Sequence, residues 1–211
     1  MTFEQDFKDA LANIPDKEKD KLILRLLKKD IILAKRLQYE LLSEESVEDK
    51  RNQLQEILDK KIESAIKHFK SPGYLSMDIR YMSGMITEHV KITKDKFGDI
   101  WLNLYMLTKL VPNLEEQLAY FSRRQGEKYY IPALARIFKI LMAIVKLHED
   151  DQYEFRENLQ ILGDSIGDND HFMMTAMHNG LDVNWLTQNN IPEDIADIHK
   201  EIKNNGFLKL G

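Results

Sequence analysis

Apolar residues recur three and four positions apart along almost the whole chain, and no stretch keeps the strict alternation of a half-buried strand. A chain patterned at the helical period buries its hydrophobic stripes by packing helix against helix, so the fold class read from it is all-α. Proline and glycine act as punctuation between the periodic segments. The expected architecture is an irregular multi-helix bundle or a short superhelical stack of about nine to eleven helices, forming one helical domain over residues 1–211. Hydrophobic residues make up 43% of the chain and aromatic ones 9%, which is enough for a packed core.

Local signals place the helices. The first spans about 3–13 and stops at Ile14-Pro15, because proline disfavours helical geometry in the residue before it. A second covers about 19–29, and a third runs to Leu42 with Asp30 as N-cap, the two pairing as a hairpin. Ser46 and Asp49 form a capping pattern that opens a long helix to about Lys70, striped by Leu54, Leu58, Ile62, Ala65 and Phe69. Ser71-Pro72-Gly73 reads as its end, followed by helices over about 75–93 and 99–111 separated near Gly98. Residues 123–128 read as a polar loop. The segment 131–148 has only a narrow polar stripe at Arg136, Lys139 and Lys146, which predicts a central helix buried on most sides. Turns at Gly163–Gly167, Gly180 and Asn189-Asn190 divide the last third of the chain into short helices. Pro192 suits the first turn of the last one and Asn205-Gly206 its stop.

Charge is unevenly distributed. Residues 147–211 carry thirteen acidic and four basic side chains, a formal −9, whereas 16–146 carry 25 Lys/Arg against 19 Asp/Glu, a formal +6. The chain therefore has a near-neutral to basic part (1–146) and an acidic part (147–211), which either neutralise each other in the fold or present a charged face to a partner. Arg123, Arg124, Lys128, Arg136, Lys139 and Lys146 are the candidate anion- or partner-binding residues. On the central helix the last three share one face with Ala143, a line suited to the rim of a cavity that receives an anion or to docking part of the acidic third. A sequence pI of about 5.7, the modest basic excess and the lack of a base-reading motif argue against nucleic acid.

With no cysteine in the chain, disulfides, thiol catalysis and cysteine-bound metal centres are excluded, and a reducing compartment, the cytoplasm, is the expected location. The acidic first turns do not form a secretory signal, and the most apolar stretch is too short and too charged to span a bilayer, so no membrane partner is expected.

Three constellations carry possible chemistry. Gly163-Asp164-Ser165-Ile166-Gly167 matches a nucleophile elbow in its letters, with His171, His178 and His199 downstream. An elbow requires a strand leading into the serine and a loop of oxyanion donors, and the preceding Asn158–Leu162 reads as helix. The simpler reading is a helix-ending glycine followed by Asp164 or Ser165 as a cap. The histidines and Asp168-x-Asp170 lack the spacing of a zinc protease, a di-iron bundle or a calcium loop, and Asp168-Asn169-Asp170 reads as N-capping.

The third constellation is acidic. Glu44-Glu45-Ser46-Val47-Glu48 resembles the first half of the metal motif of all-α nucleotide pyrophosphohydrolases, the class that includes dimeric dUTP-hydrolysing enzymes, but the companion Glu-x-x-Asp is missing. Glu154-x-x-Glu157, with Glu149 upstream, is the substitute, so Glu44, Glu48, Glu149, Glu154 and Glu157 are the candidate metal ligands. Carboxylates near helix starts also serve simply as partners of the helix dipole.

Larger segments carry a resemblance. Asp20–Asp30, Ser71–Leu75, Glu88–Gly98 and Asn179–Leu186 are similar to a family of bacterial cytoplasmic all-helical proteins, uncharacterised in function, some of whose members carry a dUTP nucleotidohydrolase label. The resemblance implies an all-α cytoplasmic protein and assigns no catalytic residue here. Two functions are expected from the sequence. The first is a non-enzymatic interaction or scaffold module with an electrostatically split surface, needing no cofactor and engaging a protein partner or a second copy. The alternative is a magnesium-dependent, dUTP-type diphosphohydrolase, the only reading that calls for magnesium or a nucleotide.

Overall fold

A computed structural model describes residues 2–210. Thirteen helices and no strand occur among them, so the chain is all-α, with more and shorter helices than the nine to eleven expected. They are α1 (Gln5–Ala12), α2 (Asp16–Leu27), α3 (Ile31–Leu42), α4 (Val47–Lys67), α5 (Pro72–Thr93), α6 (Lys96–Asn113), α7 (Glu115–Ala119), α8 (Arg123–Ile144), α9 (Glu149–Tyr153), α10 (Arg156–Gly167), α11 (Asp170–His178), α12 (Asn184–Thr187) and α13 (Ile195–Asn204).

Capping chemistry sets many of these boundaries, since the first backbone N–H groups of a helix need outside acceptors. Asp30 accepts from Leu33 N at 3.0 Å, and Ser46 and Asp49 form the reciprocal capping box. Asn169 accepts from Phe172 N, and Asn205 with left-handed Gly206 closes α13. Elsewhere the structure departs from the sequence reading. Pro72 starts α5 at its first turn instead of ending α4, as its missing N–H and fixed φ permit. The break before α6 falls at left-handed Lys94 and N-cap Asp95, with Gly98 inside the helix. Residues 123–128 are not a loop: Ser122 and Gln125 form a second capping box and α8 begins at Arg123. Pro112 and Pro132 lie within α6 and α8. Pro192 precedes α13 instead of sitting in its first turn.

Gly163 does not interrupt the acidic third, whereas Gly167 is the last residue of α10. Gly163 lies inside α10 because α12 crosses there: an added Cβ would stand 2.6 Å from Thr187 Cγ2 and 3.0 Å from Leu186 Cβ. Gly180, at φ +78°, makes the left-handed turn after α11 that an L side chain resists.

The central position expected for α8 is observed. It packs against α5, α6, α11 and α13, and Tyr129, Leu134, Ile137, Phe138, Leu141 and Ile144 are buried along it. One contiguous apolar cluster extends from Leu54 in α4 to Ile195 in α13. The acidic third joins it through rings: Phe155 packs on Phe97, Phe172 stacks on Tyr130 at 4.7 Å, and Trp185 meets Phe138 edge-on. Trp101, the other tryptophan, stacks on Tyr105 within α6. Among the described residues no Lys or Arg of 123–146 lies within ion-pair distance of a carboxylate of 147–210. The acidic third is therefore docked by apolar burial and not by the basic line.

The first 42 residues differ in kind. None of the residues in α1, α2 or α3 is buried. The main attachment of this arm to the rest is α3 along α5, reinforced by the Lys35–Glu88 ion pair.

Candidate functional site

The six basic candidates separate into two places, with one left over. Arg124 and Lys128, on the first turns of α8, share a cleft with Arg80 of α5, while Arg123 beside them pairs with Glu127 at 3.3 Å. Arg136 and Lys139 line a second cleft, of about 160 Å3, formed with Thr87 of α5, Asp99 and Asn103 of α6, and Ala143. Lys146 lies past the end of α8, exposed and outside both. Of the line Arg136, Lys139 and Lys146 expected at a cavity rim with Ala143 between, Arg136, Lys139 and Ala143 line this cleft and Lys146 does not.

Within the second cleft Arg136 is half-buried and, among the described residues, makes one hydrogen bond, from Nη1 to Asn103 Oδ1 at 2.8 Å, while its buried Nε–H has no partner. Burial lowers the pKa of this guanidinium, and Asp99 nearby opposes that shift. Burial likewise raises the Asp99 carboxyl above its ordinary value, although Arg136 and Lys139 pull it down.

The five carboxylate candidates are all exposed and dispersed over separate elements. Glu44 lies in the link before α4, and Glu48 is in the first turn of α4. Neighbouring Glu45 is engaged by Lys50 and Gln53, whose hydrogen bonds lower its pKa. Glu149 opens α9, Glu154 caps its end and Glu157 is in the first turn of α10. Among the described residues no three His, Cys, Asp or Glu side chains are grouped to hold a metal ion.

The Gly-x-Ser-x-Gly letters lie within α10, where Ser165 Oγ donates to Ile161 O at 2.7 Å. A strand-to-helix turn is absent there, so the nucleophile elbow is not formed. The simpler expectation of a helix-ending Gly163 with a new cap at Asp164 or Ser165 is also corrected: the helix runs on to Gly167, and the next cap is Asn169.

Sequence reasoning missed the most constructed polar cluster. Buried Asp95 receives Arg51 in bidentate fashion, from Nε at 2.7 Å and Nη2 at 2.9 Å, and Gly98 N at 2.7 Å. His89 Nε2 lies 3.1 Å from the same carboxylate, and Arg51 also covers the Phe97 ring at 4.9 Å. Burial pushes the Asp95 pKa upward, but the hydrogen bonds from His89, Arg51 and Gly98 outweigh it and hold the carboxyl well below its usual range. The cluster ties α4, α5 and α6 together. Its local trace in the sequence is the Asp-x-x-Gly cap at Asp95, but Arg51 is 44 positions away and no local pattern points to it.

His89 and Thr93 also open onto a groove of about 430 Å3 between α3 and α5, lined further by Tyr39, Leu42 and Ile92. The arm carries further exposed apolar side chains. Phe3, Phe7, Leu11, Ile23, Leu24, Leu26, Ile31, Leu33, Leu41 and Leu42 are all exposed, and Leu41 and Leu42 retain 76% and 79% of their accessible area. No helix among the described residues is long and apolar enough to cross a membrane. No protein-family model matches the chain, and neither the curated proteins nor the solved structures give a significant match.

Proposed function

We propose that the protein is a helical interaction module whose docking element is the N-terminal arm, and that the arm's occupant is a second copy of the chain. The observation that carries this reading is the concentration of exposed apolar side chains on three helices that bury no residue of their own. Helices of 8 to 12 residues are marginal in water without tertiary packing. The ten exposed apolar side chains of the arm present on the order of 1,000 Å2, comparable to the roughly 800 Å2 that each partner contributes to a standard interface. Charge favours a second copy at this face and not at the other end. Residues 2–42 carry eight acidic and nine basic side chains, so two arms meet without net repulsion, whereas two acidic thirds at −9 each repel.

Sedimentation of the native chain and of the double variant Leu24→Glu, Leu26→Glu tests this. The expected result is concentration-dependent self-association that the variant abolishes while its helical ellipticity persists. A monomer at every concentration, indistinguishable from the variant, overturns the reading. Magnesium-dependent release of pyrophosphate from dUTP moves the assignment to the diphosphohydrolase alternative.

A further inference from the structure

The cleft between α5, α6 and α8 contains a cation, Arg136, that closes no ion pair among the described residues. Arg51, the other arginine drawn into the helical body, is matched by a bidentate carboxylate. Arg136 has a neutral amide as its one hydrogen-bonding partner, and Asp99 faces it without closing to ion-pair distance. Asp99 Oδ1 accepts from Asn103 Nδ2 at 3.0 Å, while Oδ2 has no donor among the described residues. Lys139 is exposed at the rim. The cleft therefore holds two positive groups, one negative group and an unfilled acceptor, in a space of about 160 Å3. At roughly 30 Å3 per water this is the volume of about five waters, enough for one compact ion.

The positive excess is felt beyond the cleft. His199 of α13, whose ring lies 5.1 Å from that of Phe138, has its pKa lowered by burial first and then by Lys203 and Lys139.

A buried guanidinium lacking an anionic partner is costly, and a planar fork of N–H donors suits an oxyanion. The adjacent carboxylate then selects among oxyanions. Carboxylate and sulfate ligands bring only acceptors and would set charge against Asp99. A phosphate that retains a P–OH can direct oxygens to Arg136 and Lys139 and donate its proton to Asp99 Oδ2.

We propose that this cleft binds a small tetrahedral phosphate that keeps a P–OH, as hydrogenphosphate or as the monoanionic head of a phosphomonoester, with Arg136 and Lys139 as its cationic donors and Asp99 as acceptor of its P–OH. The site is lined by residues of α5, α6 and α8 and by none of the arm, and its test reads ion binding, which stands or falls independently of self-association.

Calorimetric titration of the full chain at constant ionic strength, with inorganic phosphate, phenyl phosphate, sulfate and acetate as the injected ions, tests the proposal. Phosphate is expected to bind saturably with one site per chain, at least about tenfold more tightly than sulfate or acetate. Phenyl phosphate binding equally well below its second pKa of about 6, where it keeps a P–OH, assigns the site to phosphomonoesters, and its exclusion there assigns it to the free ion. Lys139→Gln, an exposed and structurally mild change, should weaken phosphate binding about threefold to tenfold, and Arg136→Gln more, while Lys146→Gln on the same line leaves it unaltered. Asp99→Asn should erase the preference for phosphate over sulfate. No saturable phosphate binding, equal affinity for sulfate, or an unchanged affinity in Lys139→Gln each overturns the proposal. Lys139→Gln keeps the test decisive if Arg136→Gln fails to fold.

Discussion

The arm of α1–α3 and the body of α4–α13 are both amphipathic by sequence, yet only the body uses its stripes. In α4 the spacing of Leu54, Leu58, Ile62 and Ala65 faces α5 and α6 and all four are buried. In α2 an equally apolar set, with Ile23, Leu24 and Leu26, remains in solvent. Periodicity therefore determines that a helix forms and which face it offers, but whether that face is filled depends on what the rest of the chain can bring to it. In the body the filling elements come from far along the sequence, with α10 against α6 and α11 against α8. Among the described residues none does the same for α1 and α2, which bury no side chain.

The comparison is sharpened most by cutting into the body. Leu141→Ala, at a fully buried position on α8, should cost about 2–5 kcal/mol in denaturant unfolding. A loss below about 1 kcal/mol would mean that α8 is not the centre of the core. Asp95→Asn leaves Arg51 short of its counter-charge and should cost about 3 kcal/mol. The same carboxylate predicts a pH dependence. Because its folded pKa is depressed, its stabilisation is complete above the ordinary carboxylate value near 3.8 and is lost as pH falls below that value towards the folded one. Native protein should thus lose stability in acid faster than Asp95→Asn, and parallel acid profiles would contradict the geometry.

A smaller effect, of about 1–3 kcal/mol, is expected for Gly163→Ala, where the new methyl meets Thr187 of α12. Gly84→Ala, in open space on α5, should instead stabilise by about 0.5–1 kcal/mol, so opposite signs at two helical glycines check the packing of α12. Smallest of all, Leu24→Ala in the arm should change monomer stability by no more than about 0.5 kcal/mol. Hydrogen exchange adds the complementary reading. Amides of α1 and α2 should exchange quickly at low protein concentration and become protected as concentration rises, if a second copy covers them.

Local chemistry was the legible part of this fold. The caps at Asp30, Ser46 and Asn169 act on backbone groups three residues away, so the sequence window that contains them contains their cause. The start of α8 carried the same kind of signal in Ser122 and Gln125, but the polar run at 123–128 and Gly126 outweighed it as loop features; in the structure Gly126 lies against the Tyr130 ring, which a side chain there would strike. Gly163 was unreadable for a different reason, since its need for smallness comes from Thr187, 24 positions later. The line of Arg136, Lys139 and Lys146 was read from a single helix, but α8 ends at Ile144, and Lys146 lies outside the cleft that the other two line. The clasp of Arg51 on Asp95 could not be read from one helix, because its partners meet only after α4, α5 and α6 have packed.

Both tryptophans belong to the body, Trp101 stacked in α6 and Trp185 wedged beside Phe138, and Tyr39 is the single tyrosine before α4. Tryptophan emission is therefore blind to the arm. A melt followed by tryptophan fluorescence reports the collapse of the body alone, whereas far-ultraviolet ellipticity sums over every helix, the first three included. If the arm frays first, the two optical signals will separate at low protein concentration. They will converge at high concentration, where paired arms melt with the rest.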